Sequence, residues 1–287
     1  MEHQLTSKKL VQRLCRELGI APSKEKGQNF LIDENVIHQI MDVAEVGQHE
    51  NILEVGPGFG VLTTELSSRS DQVLAVEIDN KLCEGLQKMF FGGGVTIHCH
   101  DILKMPNREI LAMFKGASGY KVISNLPYSI TSHFVRKFLE QEPKPNAMVL
   151  MIQKEVAKRM VSEPGEMSIL SVSVQLYADP ELKFHVPKRS FWPEPEVDSS
   201  VVVIKNIRSN EEVENEYGIK RKEFFQLVRV GFSARRKKLV NNIASGFRIE
   251  KPAAGEWLGR AGVDLGARAQ ELSVKDWVRL LRNRVPF

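Results

Sequence analysis

The feature that most constrains this chain is a buried strand that runs straight into glycines, Asn51-Ile-Leu-Glu-Val-Gly-Pro-Gly-Phe-Gly-Val-Leu62. Glycines at 56, 58 and 60 let the backbone turn sharply and approach a ligand closely before a helix begins. A strand-turn-helix of this kind belongs in an open, largely parallel sheet. The flanking sequence agrees. Past Pro22, short β-branched runs alternate with helix-length segments, as right-handed βαβ winding requires. Strands are expected over Asn51 to Val55, Gln72 to Glu77, Val95 to Cys99, Lys121 to Asn125, Ala147 to Ile152 and Val201 to Lys205, with a weaker one near Phe184 to Val186.

The glycine spacing is GxGxG rather than the GxGxxG of dinucleotide-binding turns, which favours a ligand without a pyrophosphate. Twenty-one residues after Gly56 the second strand ends at Glu77, where a carboxylate can accept both hydroxyls of a ribose. The third strand ends at Asp101 and the fourth at Asn125. Ligands of open α/β sheets bind beyond the carboxyl ends of the strands, where the strand order switches, so these four positions should converge on one crevice. Plainer readings exist for each. Glycines in such turns are often only geometric, and Glu77 and Asp79 could be solvated turn residues. His98-Cys99-His100-Asp101 resembles a metal cluster, but strand alternation sends Cys99 away from both histidines, and no metal is expected.

The fourth strand closes on Asn125-Leu126-Pro127-Tyr128. An exocyclic amine on a nucleobase is a poor nucleophile because its lone pair is delocalised into the ring. Two acceptors opposite its two N–H bonds draw the nitrogen towards sp³ and free that pair. The Asn125 side-chain oxygen is one candidate and the Leu126 carbonyl the other, with Pro127 fixing the turn. Tyr128 offers a flat face for an extruded base, a contact worth roughly 1–3 kcal/mol. Phe191 or Trp192, in a loop stiffened by Pro193 and Pro195, would supply the second face. In isolation Asn-x-Pro-Tyr is merely a turn; its place behind a glycine loop gives it chemical meaning.

Of 287 residues, 42% are apolar and 26% charged, which excludes wholesale disorder and allows a large domain with a small one. Residues 208–287 carry 17 Lys and Arg against 10 Asp and Glu, a surplus of seven that leaves residues 1–207 at minus three. That asymmetry suggests an acidic or nucleic-acid partner for the C-terminal part, a solvated basic surface being the alternative. The segment Arg208 to Lys220, poor in large apolar residues, reads as an interdomain linker. Helical stripes follow at Phe224, Phe225, Val228 and Phe232, and at Trp257, Leu258 and Ala261, with a last helix capped by Ser273 and Asp276. Three cysteines without a CxxC pair support neither a disulfide framework nor a zinc ribbon, and a reducing cytosol fits best. No apolar run reaches the roughly 18 residues of a membrane span. Leu10, Leu14 and Leu18 with surrounding basic residues could mark a transit peptide, but Glu17 favours a packed first helix.

In this order the motifs resemble the S-adenosylmethionine-dependent rRNA adenine dimethyltransferases of the small ribosomal subunit. The likeness runs from Gly27-Gln-Asn-Phe-Leu31 through Leu53-to-Gly60, Glu77, Asp101, Asn125-Leu-Pro-Tyr128 and the Phe191-to-Ser199 loop to Gly231-to-Leu239 and Arg268-to-Leu272. It departs at His100, where the family more often has glycine, and in the extra aromatic Trp192. The resemblance implies a class I methyltransferase (Rossmann-like) α/β sheet with helices on both faces over residues 1–207, and a small helical rRNA-binding domain over 208–287. It implies that Asn29, Leu31, Gly56, Gly58, Glu77, Asp101 and Asn125 line the site of S-adenosylmethionine, Glu77 taking the ribose hydroxyls and Asp101 the adenine amine. Asn125, Leu126 and Tyr128 would hold the target adenine, with Phe191 on its other face. Arg235, Arg236, Lys237 and Lys238, expected on a helix, would contact rRNA phosphates. The expected substrate is small-subunit rRNA in a pre-ribosomal 30S-type particle, and the expected enzyme a cytoplasmic monomer, an organelle being the alternative compartment. A related branch methylates one large-subunit adenosine, but the basic segment and full C-terminal domain look more like the small-subunit branch. A nicotinamide-dependent dehydrogenase is disfavoured by the glycine spacing. A non-catalytic assembly factor is disfavoured by the intact Asn-Leu-Pro-Tyr.

Overall fold

The computed structural model describes residues 5–22 and 28–284, so Gly27 lies outside the described residues. The chain divides into two compact units, one of residues 1–157 and 180–207 and the other of 158–179 and 208–287. The single boundary expected after residue 207 is therefore one of three crossings.

In the first unit α1 (Lys8–Glu17) buries Val11 and Cys15 in a cluster with Phe30, Phe59 and Leu82, as a packed first helix should. The short strand β1 (Phe30–Leu31) leads into α2 (Glu34–Ala44). Strands then alternate with helices: β2 (Asn51–Val55), α3 (Val61–Arg69), β3 (Gln72–Glu77), α4 (Asn80–Met89), β4 (Val95–Cys99), α5 (Asn107–Ala112), β5 (Lys121–Asn125), α6 (Thr131–Glu140) and β6 (Ala147–Gln153). After α7 (Lys154–Met160) and α8 (Ile169–Tyr177) the unit is completed by β7 (Asp179–Val186), β8 (Phe191–Trp192) and β9 (Ser199–Lys205). The weak strand expected near Phe184 is thus the end of a longer one.

The main sheet has the order β4-β3-β2-β5-β6-β9-β7, parallel from β4 to β6, with β9 antiparallel to β6. β2 and β3 are buried along almost their whole length, which is why they read as unbroken apolar runs, whereas β4 at the edge is only half-buried. The chain winds from β2 outward to β4, then returns to lay β5 on the opposite side of β2. The switch point therefore lies between β2 and β5, and the crevice expected there is bounded by the residues that follow them. Ser124 reinforces this junction by donating its hydroxyl to the Val55 carbonyl at 2.6 Å.

Cys83 on α4 and Cys99 at the end of β4 form a disulfide, with Cα atoms 5.7 Å apart. This corrects the reading of the cysteines as unpaired and removes them as an argument for a reducing compartment. The pairing exists because α4 packs back on β3 and β4, a tertiary fact invisible in a 16-residue spacing. No helix among the described residues is long and apolar enough to cross a membrane.

The second unit holds α8 and five later helices, α9 (Asn210–Tyr217), α10 (Arg221–Gly231), α11 (Leu239–Phe247), α12 (Lys251–Arg260) and α13 (Val274–Arg282). Residues 208–220 are accordingly no linker. Ser209 and Glu212 form a reciprocal capping box that starts α9, and Val213 is buried, so four glutamates sit on a helix rather than in a tether. Residues 158–179 join this unit because Tyr177 stacks on Phe225 (ring centroids 6.1 Å apart) and its hydroxyl accepts from Arg221 at 3.3 Å. Ser273 and Asp276 cap α13 as expected. Arg235 to Lys238 are all exposed, but they occupy the turn between α10 and α11, not a helix. Asn242 holds that turn by donating to the carbonyls of Gly231 and Ala234.

Candidate active site

A cavity of about 620 Å³ opens beyond the carboxyl ends of β2, β3, β4 and β5, within the range typical of small-molecule sites. Gly56, Gly58, Glu77, Asp101 and Asn125 line it, as do Asn29 and Leu31 from the segment around β1, and Leu126 and Tyr128 from the Asn-Leu-Pro-Tyr turn. Residues up to 99 positions apart in the chain thus share one wall.

The glycine turn is shaped by close approach. Gly56 has φ +65° and a Cβ there would meet the Pro127 ring at 3.2 Å; Gly58 has φ +61° and its Cβ would meet the Phe30 ring at 3.1 Å. Both positions combine the left-handed backbone, which strains any side-chain-bearing residue, with a ring close enough that an added Cβ would make it shift. The Gly56 amide donates to Val76 at 2.9 Å, tying the turn to β3.

Glu77 is 5% exposed, and its two carboxylate oxygens accept from the Gly58 amide (3.3 Å) and the Asp79 amide (2.9 Å). Burial pushes its pKa up, opposed by these backbone donors. Asp79 caps α4 through the Lys81 and Leu82 amides and accepts from Gln28 at 3.4 Å, so it is a structural cap as well as a wall residue. Asp101 accepts from the Leu103 amide at 3.0 Å, which orders the turn after β4, and Lys104 lies 3.7 Å from its other oxygen. The Leu126 amide donates to Met151 at 3.1 Å, fixing that peptide against β6.

Two expectations are revised. Phe191 is 3% exposed in β8, where it pairs with Leu31 across the β1–β8 ladder and belongs to the core; it does not line the cavity. Its aromatic character was legible, but the pairing that turns it inward was not. Trp192, partly buried, packs on the cluster that holds Phe30 and Phe59. The rings of His98 and His100 lie 5.6 Å apart while Cys99 engages Cys83, the alternation expected of a strand. No group of three or more His, Cys, Asp or Glu among the described residues is placed to hold a metal.

The sequence reading gave no role to the polar cavity residues Glu54 and Gln28, both quoted only within their motifs. Glu54, 2% exposed within β2, accepts from the Thr63 hydroxyl at 2.6 Å. Burial, helped by the nearby Glu77 and opposed by Thr63, raises its pKa to about 8. A lone acid inside an apolar strand was the available signal. Gln28 also lines the cavity, and its side-chain oxygen is buried without a hydrogen-bond partner among the described residues. A carboxyl whose folded pKa exceeds its unfolded value favours the folded state below the ordinary carboxylate range, and that contribution is lost as pH rises towards about 8. The ligand-free protein should therefore lose thermal stability between pH 5 and pH 8, and Glu54→Gln should flatten that decline by about 5 °C. Parallel pH profiles of melting temperature for the two proteins would remove Glu54 as its source.

A family model described as ribosomal RNA adenine dimethylase matches residues 22–283. Among curated proteins, the chain is 44% identical over 259 residues to a ribosomal RNA small subunit methyltransferase A of Dehalococcoides mccartyi, covering 90% of this chain and 86% of the relative. It is 35% identical over 285 residues to the protein of the same name from Alkaliphilus oremlandii, covering 98% of each. Among solved structures, the 23S rRNA methyltransferase ErmE is 26% identical with a TM-score of 0.68, covering 89% of this chain and 99% of that one. A dimethyladenosine transferase from Plasmodium falciparum, 23% identical with a TM-score of 0.71 over 88% of this chain and 95% of that one, shares the fold.

Proposed function

The chain belongs to the ribosomal RNA adenine dimethylase family, and from that premise we propose that it methylates N6 of two adjacent adenosines near the 3′ end of small-subunit rRNA. The product is N6,N6-dimethyladenosine, made during maturation of a 30S-type particle, with S-adenosylmethionine as methyl donor. One observation carries this reading: the Asn125-Leu126-Tyr128 turn and the Gly56, Glu77 and Asp101 wall face a single cavity at the β2/β5 switch.

The residues present suit that donor. Glu77, already held by two backbone amides, can accept ribose hydroxyls, and Asp101 an adenine amine. The side-chain oxygen of Gln28, without a hydrogen-bond partner among the described residues, suits the ammonium of the donor's amino-acid end. The donor supplies a methyl group on a sulfonium, open to attack even by a weak nucleophile. The chain does the rest by placement. Asn125 and the Leu126 carbonyl accept the two N–H bonds of the target amine and Tyr128 stacks on its ring, so catalysis is mainly positioning and hydrogen bonding. No side chain need act as a dedicated base, because the nitrogen becomes acidic once methylated and water can take the proton.

The small-subunit branch is preferred because the curated relatives at 35–44% identity that span most of this chain carry that name. The exposed turn Arg235 to Lys238 is the proposed phosphate contact. Reversing all four charges should weaken RNA binding by orders of magnitude at low salt and reduce the salt slope by up to about four; an unchanged binding isotherm would assign them to a solvated surface. The activity itself is tested by incubating the protein with labelled donor and small subunits lacking the modification, then digesting the RNA with nuclease. Labelled dimethyladenosine is the expected product. Label only in another nucleoside, or in large-subunit RNA, would refute the assignment.

A further inference from the structure

Tyr128 begins a single 3-10 turn, Tyr128–Ile130, and its half-buried ring projects from a segment too short to hold it by itself. The end of that side chain is tethered. Its hydroxyl lies 2.6 Å from the Ser199 Oγ. Ser199 has 0% exposure and opens β9, where it pairs with Gln153 in the antiparallel ladder. Its neighbour Asp198 is fixed from both sides, its carbonyl accepting the Lys154 amide and its carboxylate the Lys188 amide, each at 3.0 Å. The rigid partner in the pair is therefore Ser199, and the adjustable one is the ring of Tyr128.

We infer that Ser199 is a positioning residue for methyl transfer: through its hydrogen bond to the Tyr128 hydroxyl it sets the angle of the ring on which the target base stacks. This rests on the proposed stacking role of Tyr128. Burial raises the Tyr128 phenol above its ordinary pKa, so the pair stays a hydroxyl–hydroxyl hydrogen bond at neutral pH. A stacking face that can tilt lets the amine drift from its acceptors, and small misplacements of a reacting group are costly in rate. The same bond links the turn after β5 to the end of the Phe191-to-Ser199 loop, so that loop supports the site through its last residue even though its aromatic rings point elsewhere.

The test is a double-mutant cycle on Ser199→Ala and Tyr128→Phe, using single-turnover methylation of unmodified small subunits, with calorimetry of S-adenosylmethionine and thermal melting alongside. Each single variant should lose about tenfold in the methylation rate at saturating donor, with donor affinity unchanged. The double variant should be no slower than the slower single. Multiplied losses in the double variant, a Ser199→Ala rate equal to wild type, or a rate loss matched by lost donor affinity would overturn the inference. Should Ser199→Ala fail to fold, Tyr128→Phe removes the same bond from its other end and decides alone, a wild-type rate overturning the inference. Tyr128→Ala separates the premise. Near-normal activity there would sink the stacking role itself, whereas a severe loss with Ser199→Ala unaffected would sink only the positioning role.

Discussion

Asn125→Ala should lower methyl transfer by about 100- to 1000-fold, the scale seen when one preorganised hydrogen-bonding group is taken from a site of developing charge. The residue ends β5, where its backbone pairs with Met151 of β6. The Ser124 hydroxyl bond to Val55 is one residue away. Alanine should therefore leave the strand end in place and delete only the side-chain acceptor. Asn125 also lines the donor cavity, but with Glu77 and Asp101 untouched donor affinity should fall far less than the rate. Rate and binding must be measured on the same preparation: activity within a few-fold of wild type would refute the paired-acceptor scheme, and loss of donor binding in step with rate would make Asn125 a donor ligand alone.

Glu77→Ala should act on the other half of the reaction and weaken donor binding by about 100-fold, two charge-assisted hydrogen bonds being worth a few kcal/mol together. The change also leaves the Gly58 and Asp79 amides without their acceptor, so the glycine turn loosens as the ligand contact is lost. Glu77→Gln keeps the shape and one acceptor, and should recover part of the affinity. Because burial raises the Glu77 pKa, binding that depends on its charged form is present above the folded pKa and fades as pH falls through it. That fading should begin at a higher pH than for an exposed carboxylate. Isothermal titration across pH 4 to 8 reads both effects. Equal donor affinity in wild type and Glu77→Ala would remove the residue from the site.

How much was legible in the sequence depended on whether neighbours along the chain or neighbours in space decided the outcome. Strands β2, β3, β4 and β5 fall at the expected bounds, β2, β3 and β5 because buried parallel strands carry their apolar signal internally. The Ser273 cap was readable for the same reason, since both its members lie within one turn. Residues 208–220 misled because composition outweighed the Ser209–Glu212 box, a local signal that was present. The basic run 235–238, expected on a helix, instead lies in a break between α10 and α11, where Asn242 pins the turn.

What the sequence determined by itself is the parallel sheet, the glycine turn and the polar residues at or just past the ends of β3, β4 and β5, because a strand's burial and the residues that follow it are written in consecutive positions. Only the tertiary structure decided that Phe191 turns into the core through its pairing with Leu31, that Cys83 meets Cys99, and that Ser199 holds Tyr128. Each of those joins segments separated by 16 to 160 residues, where contact is set by how layers pack and leaves no periodic trace in either segment.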